Sequence, residues 1–301
     1  MASGGIAVRA PAGAGERRRL RLATRRTMEF TRRKPLGAFG GVVMVVLVLM
    51  AIFADVVVPF DPMAHSPDVL RGPSAQHVAG TDQFGRDVMS RIILGGRTSL
   101  YVGLAVTVLS LIPAIALGMA SAFFGGWVDY ALQRLVDTVQ SIPYLIMLIA
   151  TMVVLGPSLT NVVVALAFRR AITESRVMRG ATMSIMNQTY VEAARAIGST
   201  DTRIMVRHLV PNIMPTVIVI ASIGFGGVIL AEASLSFLGY GVPPPTPSWG
   251  GMLAADGRAY MYAAPWMLIA PATALALVVF GVNMFGDALR DVLDPRMRGT
   301  S

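Results

Sequence analysis

Cysteine is absent from the 301 residues. That excludes a disulfide framework, a thiol nucleophile and a thiolate metal site. Histidine occurs only at His65, His77 and His208, too scattered for a zinc site. Lysine occurs once, as Lys34 before Pro35. The phosphate-cradling pattern G-x-x-x-x-G-K-[ST] is therefore missing, and nucleotide cannot be held by that route. Charge is scarce as well. Charged residues make up 14% of the chain and hydrophobic ones 54%, with mean hydropathy +0.62. Soluble domains carry about 25% charge. No paired carboxylates suggest acid–base chemistry. The composition points to an all-α, polytopic membrane protein, not an enzyme.

Six apolar segments approach the ~20 residues that cross a bilayer: 36–58, 99–124, 136–155, 159–172, 213–238 and 265–285. The third has an amphipathic lead-in over 127–138. The fourth is cut short by Arg169 and Arg170, so its inner end must reach a polar environment. The first lies behind 35 residues, exceeds a signal-peptide core of 7–15 residues, and has no small-x-small site after it. It is read as a retained anchor.

The net charge of +9 is not a nucleic-acid signature, because ten of the 26 basic residues precede Leu36. An arginine-rich tail over 1–35 suits a cytoplasmic terminus facing anionic lipid. With that tail inside and six spans alternating, inner segments hold 21 basic residues. The outer ones hold five: Arg71, Arg86, Arg91, Arg97 and Arg258. This split obeys the positive-inside rule and places both termini in the cytoplasm. Residues 36–301 form the transmembrane domain.

The inner loop between the fourth and fifth spans is the most informative stretch. Thr189-x-x-Glu192 has the form of a capping box. Ala193, Ala194 and Ala196 propagate a helix, and Gly198 is a natural left-handed stop. Ser199 or Thr200 can cap a second helix, with Asp201 in its first turn. Arg203 and Arg207 share a face of that second helix; Ile204 and His208 lie on a neighbouring one. Pro211 ends or kinks the run. The bland reading is an ordinary pair of capped surface helices. The sharper one is a docking element for a soluble partner.

The pattern E-A-A-x-x-x-G at Glu192–Gly198, with Pro211 thirteen residues on, resembles the cytoplasmic motif of ABC importer permeases. Where that family reads I-x-L-P, this chain has His208-Leu209-Val210-Pro211. The R-H-x-x-P-N form at 207–212 is similar to the dipeptide, oligopeptide and nickel subgroup. So are Gly80-Thr81-Asp82-Gln83-Phe84-Gly85-Arg86-Asp87 and Gly96-Arg97-Thr98-Ser99-Leu100. Leu235-Ser236-Phe237-Leu238-Gly239, Pro247-Ser248-Trp249-Gly250 and Leu293-Asp294-Pro295-Arg296 extend the likeness. Over 168–183 the family's tyrosine-containing pattern is absent.

The resemblance implies a type I importer fold and a C-like permease subunit. It implies pairing with a non-identical sister permease, two cytoplasmic ATPases that use ATP and Mg, and an extracytoplasmic solute-binding protein. No cofactor would be bound by this chain. Peptides would be the solute, with nickel chelates or oligosaccharides as alternatives. Glu192, Ala193, Ala194, Gly198, Arg203, Arg207, His208 and Pro211 would contact an ATPase.

Glu232 stands out in an apolar span, where a charge costs about 2.5–3.5 kcal/mol. It either lines the pathway, even as a coupling group of an ion-driven transporter, or is an end-of-span residue bonded to Ser234 or Ser236. Gly224 and Gly227 are candidates for close helix approach along the path. Asp82, Arg86, Asp87 and Trp249 are candidates for docking the binding protein, or parts of rigid loops. Pro113 and Pro143 can each kink a span.

Overall fold

The computed structural model describes residues 31 and 34–293. Most of the tail expectation, and Arg296 and Arg298, lie outside them. Helices dominate. Among the described residues the β-structure is one isolated bridge, Thr81 with Asp87. The helices are α1 (Pro35–Ile52), α2 (Ala54–Val57), α3 (Val88–Phe124), α4 (Gly126–Ser141), α5 (Tyr144–Leu155), α6 (Leu159–Met186), α7 (Thr189–Ala196), α8 (Asp201–Ile204), α9 (Val210–Phe237), α10 (Trp249–Leu253), α11 (Ala255–Ala259) and α12 (Trp266–Leu293).

All six expected segments are helical, but they differ as spans. Among the described residues, α1, α3, the continuous run through α9 and α12 are long and apolar enough to cross a membrane. The third segment is broken. Helices α4 and α5 meet at 92°, and counting the pair as one gives a fifth span. The break falls at Pro143, which lacks an N–H and pushes Ile142 into extended backbone. Pro113, by contrast, sits inside an unbroken 37-residue α3.

The fourth segment also departs from expectation. Arg169 and Arg170 do not end it; α6 runs on to Met186. Arg170 finds an ionic partner inside the protein, and α6 is not among the helices both long and apolar enough to cross a membrane. Arg170 Nε lies 2.7 Å from Glu174 Oε1, one turn away. Arg169 is buried, with its guanidinium 5.7 Å from the Tyr144 ring centroid.

Small residues bring the helices close, the usual way to gain dispersion contact where lipid offers no hydrophobic drive. A Cβ on Gly40 of α1 would stand 2.1 Å from the Gly281 carbonyl oxygen of α12. A Cβ on Gly118 of α3 would stand 2.4 Å from the Ser175 carbonyl oxygen of α6. One core gathers Leu47, Val88, Leu100, Phe225, Ile229 and Trp249; another gathers Val102, Val106, Leu148, Val162, Leu166 and Leu235.

Candidate functional site

Helix α7 begins one residue earlier than the capping-box pattern requires. Gln188 is its N-cap and makes no side-chain capping bond. Thr189 is already helical, and Glu192 remains exposed rather than reaching back. The expected box is therefore not formed. The far end follows the sequence closely. Gly198 has φ +76°, Ser199 N donates to Ala194 O at 3.0 Å, and Gly198 N donates to Arg195 O at 2.9 Å. These two bonds satisfy carbonyls left over by the helix end. Thr200 then caps α8, its Oγ1 accepting from Arg203 N.

Pro211 neither ends nor breaks the run. A π turn, Met205–Leu209, precedes it, and the helix continues through α9. A proline cannot donate to the carbonyl one turn back, and the wider π turn absorbs that mismatch. Asn212 Nδ2 donates to His208 O at 2.6 Å, adding a side-chain partner beside the altered turn.

The hinge has an inner and an outer face. Val191, Ala194, Ile204 and Leu209 pack against Met119 and Phe123 of α3 and Ile185 and Met186 of α6. Ala194, expected as a partner contact, is thus part of the anchor. Glu192, Ala193, Gly198, Arg203, Arg207 and Pro211 are exposed, and His208 is half-buried with its ring 6.4 Å from that of Tyr190. Two exposed apolar side chains escaped the sequence reading: Ile197, 83% exposed, and Val206, 62% exposed.

A second group lies in the helices above. Gly224 of α9 faces Arg170: a Cβ there would stand 2.1 Å from Nη2. Nη2 donates to the Ile220 carbonyl oxygen at 3.2 Å. Gly226 faces Asn283 of α12. Gly227 faces open space, so it is not a close-approach point within this chain. Glu232 is fully buried. Its Oε1 accepts from Ser236 Oγ at 2.7 Å, while Ser234 turns to the Leu230 carbonyl. Its Oε2 has no hydrogen-bond partner among the described residues.

The four candidates for binding-protein docking face inward. Asp82, Arg86, Asp87 and Trp249 are all buried. Asp87 caps α3 through Ser90 N at 2.7 Å and lies 2.9 Å from His77 Nδ1. Asp82 pairs with Arg86 Nε at 2.6 Å. Trp249 Nε1 donates to Ile92 O at 3.0 Å. Groups so enclosed have no surface to offer a partner. The docking expectation is corrected: within this chain they hold together the segments that precede α3 and follow α9.

The architecture has known relatives. The family model for the inner membrane component of binding-protein-dependent transport systems matches residues 114–299. The N-terminal transmembrane domain of oligopeptide transport permease C matches residues 24–73. A dipeptide transport system permease DppC from Alkalihalophilus pseudofirmus is 38% identical, over 89% of this chain and 88% of its own. The chain belongs to the binding-protein-dependent inner-membrane permeases, in their oligopeptide-permease C branch. A di/tripeptide permease DppC from Pseudomonas aeruginosa is 40% identical over 88% of this chain and 90% of its own. A glutathione permease GsiD from Escherichia coli is 36% identical over 89% of each. An inward-facing structure of the methionine ABC transporter MetNI shares the fold, with TM-score 0.55 and 21% identity over 68% of this chain and 97% of that one.

In this permease the hinge glycine is constrained by backbone, not by space. A Cβ on Gly198 meets nothing within 4 Å. Gly198→Val should therefore leave the fold intact and strain only the left-handed residue, by about 1–2 kcal/mol. On the reading proposed below, in which this bend contacts an ATPase, reconstituted vesicles should show a several-fold fall in solute taken up per ATP hydrolysed. An unchanged ratio would mean the bend geometry does not matter for coupling.

Proposed function

We propose that this permease is one half of the translocation path of an ATP-driven peptide importer. It pairs with a sister permease in the cell membrane of a bacterium or archaeon, with both termini cytoplasmic. A solute-binding protein delivers di- or oligopeptides from outside, and two separate ATPases bind beneath. The likeness to dipeptide permeases along nearly 90% of the chain carries this reading. The exposed face of the α7–α8 hinge supports it, because a soluble partner needs such a handle. The ATPases use ATP and Mg; this chain supplies the lever and part of the wall. Their two nucleotide states must engage the hinge differently, or no motion is transmitted.

The ion-coupled alternative drew on Glu232, which is enclosed and bonded to Ser236 rather than fronting an open channel. Reconstitution of both permeases, both ATPases and the binding protein decides between them. Dipeptide uptake should require ATP and the binding protein. Uptake driven by a proton gradient without nucleotide would overturn the proposal.

A further inference from the structure

Helix α4 starts beside the α7–α8 hinge. It follows the end of α3, where Met119 and Phe123 pack against that hinge. Helix α5 leads away from it. Pro157, just past α5, lines a cavity together with Val88, the first residue of α3. The 92° elbow therefore joins a hinge-side helix to one that rises toward the opposite surface.

Charge at the elbow is uneven. Arg179 of α6 holds Asp129 with Nε at 2.6 Å and Nη2 at 2.5 Å, and Arg176 pairs with Asp137. Both carboxylates of α4 are thereby taken. Arg134 is exposed and, among the described residues, has no carboxylate partner. It lies against Tyr130, with Cζ 5.3 Å from the ring centroid. Tyr130 in turn stacks on Trp127, which is 76% exposed, with centroids 5.7 Å apart. On α5 an open groove of about 390 Å³ is lined by Ile142, Ile146, Ala150, Val154 and Leu155. Thr151 also borders it, but its hydroxyl donates to Met147 O at 2.8 Å.

Trp and Tyr favour the headgroup level of a bilayer, where an apolar ring and a polar tip are both satisfied. A basic side chain there attracts anionic lipid. An apolar groove beyond it suits a hydrocarbon chain. We propose that the elbow binds one anionic phospholipid of the hinge-side leaflet, with its phosphate at Arg134 and an acyl chain along the α5 groove. A helix of a sister subunit would also fit an apolar groove. The adjoining cation and aromatic pair favour a ligand with an anionic head and an apolar tail. The inference rests on the membrane setting and not on which solute is carried.

The complex of two permeases and two ATPases is placed in phosphatidylcholine nanodiscs. A minor fraction of the lipid is brominated near the glycerol end of its acyl chains, as either phosphatidylglycerol or phosphatidylcholine. The fluorescence difference between parent and Trp127→Phe isolates Trp127. Per brominated molecule, phosphatidylglycerol should quench Trp127 about fivefold more effectively, the preference expected of one arginine near an anionic headgroup. Arg134→Gln should fold normally and lose that preference. Ala150→Phe, which fills the groove, should weaken quenching by phosphatidylglycerol. Equal quenching by the two lipids in the parent would mean ordinary lipid contact and overturn the site. Quenching by neither would mean that protein or water covers the elbow, and would overturn it too. A preference that survives Arg134→Gln, or quenching untouched by Ala150→Phe, would also sink it. If no such complex assembles, the importer reading fails instead, and the same lipids are compared on this chain alone.

Discussion

Gly224→Leu should be the most damaging single change away from the hinge, with the purified permease losing most of its folded yield. A side chain at 224 occupies the place of the Arg170 guanidinium, 2.1 Å from Nη2 and 2.6 Å from Cζ. The arginine is flexible and can swing aside, so overlap alone decides little. What decides is the pairing lost. Arg170 and Glu174 have side chains only 10% and 11% exposed and lie 2.7 Å apart. Arg170 also holds the Ile220 carbonyl of α9. Breaking one partner out of a buried pair costs about 3–5 kcal/mol, whereas replacing both with apolar groups is often neutral. The triple variant Gly224→Leu, Arg170→Met, Glu174→Met should therefore recover folded yield that the single variant lacks. Monodisperse yield and thermal unfolding of the detergent-purified protein measure both. A single variant that melts within a few degrees of the parent would show that Gly224 does not exist to house Arg170.

That cluster also shows where the sequence was opaque. Local signals were readable: the left-handed Gly198, the Thr200 cap and the helical nature of six apolar segments all follow from neighbours within a few positions. The Thr189–Glu192 pattern misled because a helix can start at Gln188 and leave the box unused. Arg169 and Arg170 read as a terminus although the ionic partner of Arg170, Glu174, lies only one turn on. The remaining partners of Arg170 are distant. Ile220 lies 50 positions away and Thr107 lies 63 away. Tertiary packing adds to the local Arg170–Glu174 pair in making charge tolerable within α6. Trp249 misled likewise: an aromatic beside prolines looks superficial until it donates to Ile92, 157 positions earlier. The two prolines differ for a related reason. Pro113 lies inside α3, with helix continuing on both sides, while Pro143 is preceded by Ile142 in the extended backbone that a following proline favours.

Ile197→Asp should abolish transport with little effect on the permease alone. Ile197 is 83% exposed at the last residue before the glycine bend, beside the exposed Ala193 and Ala196. Water gains nothing from a large apolar side chain held out at a rigid turn. The bend is tied down from the other side by Val191, Ala194, Ile204 and Leu209. Stability of the isolated chain should change by no more than about 0.5 kcal/mol, the usual range for such surface sites. In the proposed assembly the same residue is the natural anchor in an ATPase groove, with small alanines beside it allowing close approach. Loss of an apolar anchor at the centre of an interface costs about 2–4 kcal/mol. Capture of the ATPases by the permease pair should then weaken roughly 30-fold or more, and ATP-driven uptake should fall with it. Ile197→Leu should retain both, because volume and apolarity survive. Co-purification and vesicle uptake read out the two variants side by side. If Ile197→Asp still captures ATPases at parental affinity, the exposed tip of α7 is not the handle, and the coupling surface must be sought around Val206 and Arg207 instead.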